Sequence, residues 1–108
     1  MKYVRIEGGS KLTSFISPML ATLSDDPAFD DPKWIFEIKW DGYRAVAELA
    51  GENTRLYSRN GLSYNKAYPR IFEALKKISD HAVIDGEVVV FDYQGKPSFN
   101  TLQNYNSR

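Results

Sequence analysis

The sequence lacks cysteine altogether, and His81 is its single histidine. The absence of cysteine excludes disulfides and thiolate metal sites, and it fits a reducing cytoplasm. No apolar run approaches the ~20 residues that a membrane helix needs, and the N-terminus lacks the apolar core of a signal peptide. We therefore expect a cytoplasmic protein without membrane contact. His81 is interpreted as a loop residue between a helix and a strand, not as a general base.

An excess of charge of one sign is also lacking, since 14 Lys and Arg residues balance 14 Asp and Glu residues. Nucleic-acid-binding domains usually carry a basic excess. Any contact with DNA must therefore be local, or be made by parts of a longer protein. The length of 108 residues and the hydrophobic content of 43% fit one small domain with a real core.

The first half of the chain has the pattern of antiparallel strands. Trp34, Phe36 and Ile38 would share one face of a strand, and Ile35, Glu37 and Lys39 the other, so Trp34–Ile38 is predicted to be a strand. A turn at Asp41-Gly42 leads into a second predicted strand at Tyr43–Leu49, and another turn precedes a third at Thr54–Ser58. Short connections of this kind are typical of a meander.

The second half adds two predicted helices and a strand. Pro69 suits the first position of a helix, and the apolar spacing predicts a helix to Ile78. Ala82–Phe91 is the strongest strand pattern, interrupted at Asp85-Gly86-Glu87. Ser98 could cap a short helix over Phe99–Tyr105. Together the patterns predict an α+β fold with a mostly antiparallel sheet and two helices.

The N-terminal residues are harder to assign. Residues 1–17 show no clear period, and Gly8-Gly9-Ser10 is typical of a flexible connection. We expect 1–17 to be a linker or N-terminal extension and 18–108 to be the domain. The short apolar run Met19–Leu23 is expected to pack at the edge of the core.

Glu37 to Arg44 contains the most informative motif, K-x-D-G-x-R, formed by Lys39, Asp41, Gly42 and Arg44. A lysine that attacks phosphorus must be neutral when it reacts, although free Lys titrates near ~10.4. Burial or a nearby cation can lower that value. Asp41 could orient the amine or a metal ion, and Arg44 could hold a phosphate or a ribose hydroxyl.

Two further polar motifs follow. Ser58-Arg59-Asn60-Gly61 is by itself typical of an ordinary turn. Asp85-Gly86-Glu87 places two acids on one face of a β-branched run, where a buried charge must be paired or bound to metal. By itself this motif could also be a bulge with edge charges.

The three motifs in this order resemble those of the covalent nucleotidyltransferases: ATP-dependent DNA ligases, RNA ligases and mRNA capping enzymes. The resemblance covers about Met19 to Tyr105. Further features resemble the ligase domain of bacterial ligase D, from the end-joining pathway. These are Met19–Leu23, Trp40, Tyr43, Leu56–Gly61, Pro97-Ser98-Phe99 and Leu102-Gln103-Asn104.

The resemblance implies roles for residues around the lysine. Lys39 would be the nucleophile that attacks the α-phosphate of ATP, forms lysyl–AMP and releases pyrophosphate. Asp41 would assist nick sensing and sealing. Glu37 would read the adenine amino group, Ile38 would also contribute to the nucleotide site, and Arg44 would lie near the ribose and the nick.

The other two motifs also receive roles from the resemblance. Glu87 would hold a ribose hydroxyl or help to place Mg²⁺ (or Mn²⁺), and Asp85 would support the loop. Arg59 would bind the 5′-phosphate of the nicked strand, with Ser58 beside it in the nucleic-acid site. The implied fold is the first half of a covalent nucleotidyltransferase (ATP-grasp-like) domain.

The resemblance also implies a longer parent protein. The family continues with a stacking aromatic residue, a second metal-binding glutamate, a motif with two lysines and an OB-fold domain. We therefore interpret 18–108 as a truncated N-terminal part of the adenylation domain, inactive or nearly so by itself. The expected partners of the full protein are nicked or broken double-stranded DNA and the end-binding protein Ku, in DNA repair and recombination in the bacterial nucleoid. The alternatives are an RNA ligase or capping-type enzyme, and a non-catalytic DNA-binding module.

Overall fold

The computed structural model describes the backbone of residues 2–5, and residues 15–27 and 29–105 with their side chains. The strands are β1 (Lys2–Arg5), β2 (Tyr43–Leu49), β3 (Arg55–Ser58) and β4 (Ala82–Val88), the helices are α1 (Pro69–Lys76) and α2 (Phe99–Tyr105), and Gly51–Asn53 forms a 3-10 turn. The strands form one sheet in the order β1-β4-β2-β3, and every neighbouring pair is antiparallel. The predicted α+β class with an antiparallel sheet and two helices is confirmed.

One face of the sheet carries the main core. Ala45, Ala47 and Leu49 of β2 are buried there with apolar residues of β3 and β4. The helical region covers this face through Tyr68, just before α1, and Leu102 of α2, which is 1% exposed. The polar motifs must therefore use the ends or the opposite face of the sheet.

The two helices differ slightly from their predicted limits. Helix α1 begins at Pro69 as expected but ends at Lys76, two residues before Ile78. Beyond that point the N–H of Ile78 donates to the carbonyl of Leu75 at 3.1 Å, a tighter i to i−3 bond typical of a helix end. Helix α2 has the predicted limits, and the N–H of Thr101 donates to Ser98 Oγ at 3.3 Å, so Ser98 is its cap.

Two strand predictions were wrong. Trp34–Ile38 has the sequence pattern of a strand but forms none, because no other strand pairs with it within the described residues. Asp85-Gly86-Glu87 does not interrupt β4, because all three residues pair with β2 in an unbroken register. Strand β4 ends at Val88, and Phe91 instead bridges to Pro97 across a turn.

The N-terminal part contains one element that the sequence did not suggest. Strand β1 pairs with β4 from Lys2 opposite Asp85 to Arg5 opposite Ala82. Gly8-Gly9-Ser10 lies outside the described residues, and the division into 1–17 and 18–108 stays a prediction. None of the helices in the described ranges has the length and apolar character needed to cross a membrane.

Candidate functional site

The three sequence motifs meet at one end of the sheet. Strand β2 begins there with Tyr43, opposite Val88 at the end of β4. Strand β3 ends there with Ser58, opposite Ala45. Because neighbouring strands are antiparallel, the start of β2 and the ends of β3 and β4 lie together. The K-x-D-G-x-R, S-R-N-G and D-G-E motifs therefore converge although they are far apart in sequence.

The Lys39 segment enters the sheet at this end as an exposed, extended chain. Glu37, Ile38, Lys39 and Asp41 are all exposed, and Ile38 keeps 71% of its surface. The side chains of Glu37, Lys39 and Asp41 form no hydrogen bond or ion pair within residues 15–27 and 29–105. The Lys39 amine is thus free to reach a ligand from solvent.

Two contacts hold this segment against the end of β4. The ring of Trp40 meets Phe91 edge to face, with centroids 6.1 Å apart. A Cβ added to Gly42 would collide with the Val88 carbonyl oxygen and lie 2.7 Å from Val89 Cγ1. Only glycine allows this close approach of the two backbones. Glycine is therefore required here for packing against β4, since its φ is not in the left-handed region.

Arg44 is held in place by a bidentate ion pair with Asp85. Its Nε and Nη2 donate to the two carboxylate oxygens of Asp85, both at 2.6 Å, and Nη2 also donates to the Met19 carbonyl at 3.0 Å. The hydrogen bond to Asp85 is the main cause that raises the pKa of the Arg44 guanidinium, while partial burial opposes it. Asp85 thus neutralises and orients Arg44, a partner that the sequence did not identify.

Glu87 lies directly opposite Arg44 in the sheet. Cross-strand partners share a face, so Arg44, Glu87 and Asp85 are on the same side, away from the main core. Glu87 also helps to raise the pKa of Arg44 by its charge. Its exposed carboxylate makes no hydrogen bond or ion pair among the described residues, so it remains available to a ligand.

Ser58 organises the S-R-N-G turn. Its buried Oγ accepts from the N–H of Asn60 at 3.3 Å and of Leu62 at 3.1 Å, and its carbonyl accepts from Gly61 at 2.9 Å. Arg59 is exposed within this turn. The arrangement gives Ser58 a structural role in the turn and leaves the Arg59 side chain exposed to solvent.

Residues 15–19 contact two of these motifs, through Phe15 at Gly61 and Met19 at Arg44. The N–H of Ile16 donates to the Tyr57 hydroxyl at 3.0 Å, and the Phe15 ring packs edge to face on Tyr57 at 5.8 Å. Phe15 also lies against Gly61, whose φ of 84° suits glycine. Burial is the main cause that raises the pKa of the Tyr57 hydroxyl. The aromatic residue at 15 was a weak signal, since nothing in the sequence pairs it with Tyr57.

The convergence concerns the segments that carry the motifs. Arg44, Asp85 and Glu87 share a face, and the Lys39 segment and the Ser58–Gly61 turn begin at the same end of the sheet. We predict that the side-chain heads of Glu37, Lys39 and Arg59 join Arg44 and Glu87 in one polar cleft.

The carboxylates at this end of the sheet suit a metal ion only if a substrate supplies further ligands. Within the described ranges no three Asp, Glu or His side chains come together as a metal site. Asp85 is already paired with Arg44, which leaves Glu87 as the free carboxylate beside them. Mg²⁺ is often held by one or two carboxylates together with substrate phosphates. Glu87 therefore suits a metal that a nucleotide brings with it.

An apolar cavity lies elsewhere, between the helices and the end of β4. It has a volume of about 170 Å³ and is lined by Tyr68, Arg70, Ile71, Val88–Val90, Leu102 and Tyr105. Tyr68, Val88 and Leu102 belong to the main core. The cavity is thus on the helix side of the sheet and is separate from the Arg44–Asp85 pair.

Comparison with known proteins gives one family. Residues 18–107 match the family described as ATP dependent DNA ligase domain. The multifunctional non-homologous end joining DNA repair protein LigD of Mycobacterium tuberculosis is 41% identical over 90 residues, which are 82% of this chain and 12% of that protein. LigD of Pseudomonas aeruginosa is 35% identical over 98 residues, 90% of this chain and 11% of that protein.

Solved structures give the same relation. The ligase domain of M. tuberculosis LigD is 42% identical with a TM-score of 0.56, over 63% of this chain and 23% of that chain. A structure of mycobacterial DNA ligase D complexed with ATP and MES matches with the same values. The chain thus spans only a small part of the relatives that it matches.

Proposed function

The chain belongs to the ATP-dependent DNA ligase domain family, and on that premise we propose that it is the nucleophile-bearing part of a ligase adenylation domain that seals breaks in double-stranded DNA. The observation that supports this most is the convergence of the three motifs at one end of the sheet. An accidental match to the motifs would not require their shared location.

In the proposed reaction, Lys39 Nζ attacks the α-phosphorus of ATP. The new P–N bond forms as the bond from phosphorus to the bridging oxygen of pyrophosphate breaks, and the amine gives up a proton. The product is lysyl–AMP. Lys39 is accessible for this step, because its side chain is exposed and makes no ion pair within the described part of the chain. The metal ion that the nucleotide brings would be the nearby cation that favours the neutral amine.

The neighbouring groups would position the nucleotide. Glu37 and Ile38 flank the nucleophile on the adenine side, and Arg44 and Glu87 face the ribose. Arg44 is held in one orientation by Asp85, which reduces the entropy lost when it binds. Mg²⁺ or Mn²⁺ bound with Glu87 and the phosphates would neutralise charge on the triphosphate.

The DNA contacts would be few and local. Arg59 would bind the 5′-phosphate from the Ser58 turn, and Asp41 would act in nick sensing and sealing. The matched relatives from M. tuberculosis and P. aeruginosa are named for non-homologous end joining. We therefore place the chain in DNA repair by end joining, in the bacterial nucleoid, with Ku as the expected partner of the whole protein. The names of these relatives also favour DNA over an RNA or cap substrate.

The decisive experiment is intact-protein mass spectrometry after incubation with ATP and Mg²⁺. The chain is joined to the part of the M. tuberculosis ligase domain that has no counterpart in it. We expect a covalent AMP on the wild-type protein and none on Lys39→Ala or Lys39→Arg, because guanidinium stays charged at neutral pH. Lys77→Ala, an exposed lysine at the end of α1, is the control and should keep the adduct. An adduct on Lys39→Ala would assign the nucleophile elsewhere.

By itself the chain is expected to seal nicks below detection and to bind duplex DNA weakly. Its net charge of zero gives no general attraction to phosphate. Losing one preorganised transition-state contact can cost ~3–4 kcal/mol, and several would be absent. A gel assay with nicked duplex, ATP and Mg²⁺, beside a salt titration of DNA binding, checks this. Robust sealing would contradict it, whereas tight binding without adenylation would favour a non-catalytic DNA-binding module.

A further inference from the structure

We propose that the hairpin formed by residues 91–97 is a further DNA contact beside the ligase site, in which Tyr93 stacks on an unpaired base at a strand break and Lys96 binds a neighbouring phosphate. The inference rests on the proposed function, because it takes broken DNA as the ligand. It concerns the choice of DNA substrate and not the transfer of AMP, so the two can fail separately.

The hairpin is fixed by its own hydrogen bonds. The N–H of Asp92 donates to the carbonyl of Lys96 at 2.7 Å, and the N–H of Gly95 donates to the carbonyl of Asp92 at 2.9 Å. Gly95 has a φ of 77°, so the three-residue loop between Asp92 and Lys96 ends in a left-handed glycine, a common hairpin geometry. At the base of the hairpin, the N–H of Ser98 donates to the carbonyl of Val90 at 2.7 Å.

This fixed loop presents one aromatic ring and one cation to solvent. Tyr93 is 95% exposed. Asp92 is half-buried, and its Oδ1 accepts from the N–H of Gln94 at 2.8 Å and of Lys96 at 3.0 Å, so its carboxylate is used inside the turn. Lys96 is exposed and makes no ion pair within residues 15–27 and 29–105. Because the loop is already ordered, little conformational entropy is lost when a ligand binds.

The sheet topology places the hairpin beside the nucleophile, on the side opposite Arg59. Strand β2 lies between β4 and β3, the hairpin follows β4, and the Ser58–Gly61 turn follows β3. Neighbouring strands are ~4.8 Å apart, so the bases of the two turns are about 10 Å apart, with the Lys39 segment between them. The Trp40 ring packs on Phe91, at 6.1 Å between centroids, which joins the hairpin directly to that segment.

This spacing suits the two sides of a DNA break. Phosphates along one strand follow at ~3.4 Å of helix axis, so a span of about 10 Å corresponds to roughly three nucleotides. A phosphate bound by Arg59 would therefore leave nearby nucleotides within reach of the hairpin. Aromatic side chains bind unpaired bases by stacking, whereas a paired base is already stacked on its neighbours in the duplex. We therefore expect the hairpin to favour breaks with an unpaired base over simple nicks.

The first arm of the test uses the chain itself and two DNA probes. One probe is a nicked duplex in which every base is paired, and the other is the same duplex with one unpaired nucleotide at the break. Amide NMR signals are followed during titration with each probe. We expect the signals of Tyr93, Gln94 and Lys96 to shift more with the second probe than with the first. The signal of Gly51, in the turn at the opposite end of the sheet, is the internal control and should not move.

The second arm measures the binding of both probes to the chain fused to the remaining part of the M. tuberculosis ligase domain. Tyr93→Ala should weaken binding of the probe with the unpaired base at least ~5-fold, the order expected for one lost stacking contact, and should change binding of the paired nick by less than ~2-fold. Tyr93→Trp should keep the preference, because the aromatic ring is kept.

The charge of the hairpin is tested by salt dependence. Lys96→Ala should lower the slope of log affinity against log salt concentration by ~0.9 for both probes, as expected for one phosphate contact. Lys77→Ala removes an equally exposed class of lysine at the end of α1 and is the matched control, which should leave the slope unchanged.

Transfer of AMP is measured separately. All of these variants should form the covalent adduct, since none of them changes Lys39. A wild-type fusion that shows the preference for unpaired bases but forms no adduct would contradict only the proposed function. The inference is overturned if Tyr93→Ala weakens binding of both probes equally or of neither, or if Lys96→Ala and Lys77→Ala change the slope by the same amount. Hairpin amide signals that shift with the concentration of the chain and not with DNA would overturn it too, and would assign the hairpin to a contact between two copies.

Discussion

Residues 43–105 and residues 15–40 contain similar apolar side chains, but only the first region buries them. Val46 and Leu102 are 1% exposed and Leu49 is 2% exposed, whereas Leu23 is 92% and Ile35 90% exposed. Burial of an aliphatic side chain contributes ~1.5–3 kcal/mol. The folding free energy must therefore come mainly from the sheet and helices, although Lys39 lies in the other region.

The two regions also differ in how their backbones are held. Strands β2 and β4 pair over seven residues, from Tyr43 opposite Val88 to Leu49 opposite Ala82. The 15–40 region is attached to the sheet at a few points, chiefly Ile16 to Tyr57 and Met19 to Arg44. The sheet thus forms a rigid end, and the nucleophile lies on a weakly attached segment that a partner or ligand could order.

The largest expected effect is on the free energy of unfolding, where a Leu→Ala substitution should act differently in the two regions. Leu49→Ala in the core should lower the free energy of unfolding by ~2–5 kcal/mol, since it leaves a cavity in packed surroundings. Leu23→Ala should change it by less than about 0.5 kcal/mol. Denaturant unfolding followed by circular dichroism measures both. Equal losses would show that the 15–40 region is packed as tightly as the sheet.

A smaller effect is expected where the two regions touch. Gly42→Ala should cost ~1–3 kcal/mol, because its Cβ would meet the Val88 carbonyl. It should also move Trp40 from Phe91 and shift the tryptophan emission. Gly51→Ala is the control, since a Cβ there has no neighbour within 4 Å and only the φ of 57° is unfavourable. An unchanged emission in Gly42→Ala would mean that this contact does not position the Lys39 segment.

The same comparison explains which elements the sequence could predict. Strand β2 and helix α2 have their predicted limits because local signals decide them: turns on both sides of Tyr43–Leu49, and the Ser98 cap before Phe99–Tyr105. Trp34–Ile38 has an equally good pattern but no strand. A pattern specifies which side chains share a face, whereas a strand also needs a neighbour. Met19–Leu23 was wrongly expected to pack at the core edge, since Met19 is 77% exposed.

The candidate site divides in the same way. Motif order indicated Lys39, Arg59 and Glu87, and the topology then brought their segments to one end of the sheet. The Arg44–Asp85 pair could not be predicted, because it depends on the β2–β4 register over a separation of 41 residues. The sequence did indicate that Asp85 needs a partner, because a buried charge in a run of β-branched residues must be paired or bound to a metal.

A third test concerns that ion pair. Asp85→Asn should lower stability by ~1–2 kcal/mol, because the two side chains are only 28% and 25% exposed and a charged hydrogen bond is lost. Glu52→Gln is the matched control. Its side chain is 92% exposed and lies 4.0 Å from Lys76, so the loss should be near zero. The same denaturant curves serve both variants. If Asp85→Asn also released residues 15–19, proteolysis there would accelerate, since Met19 is held by Arg44.

The smallest expected effect is at high pH and concerns the other attachment point, Tyr57. Burial raises the pKa of its hydroxyl above the unfolded value near ~10, so the unfolded state releases its proton first. The stability contributed by neutral Tyr57 is therefore present below about pH 10 and is lost as pH rises through the folded pKa. Burial also raises the pKa of Tyr64, so both tyrosines act in the same pH window.

Tyr57→Phe should cost roughly 0.5–1 kcal/mol at neutral pH, through the lost hydrogen bond to Ile16, and should flatten the fall in stability above pH 10. Urea unfolding at a series of pH values measures this, with the exposed Tyr93→Phe as control. A fall as steep in Tyr57→Phe as in the wild type would show that Tyr57 is not buried beneath the 15–19 segment, and that this segment is free of the sheet in solution.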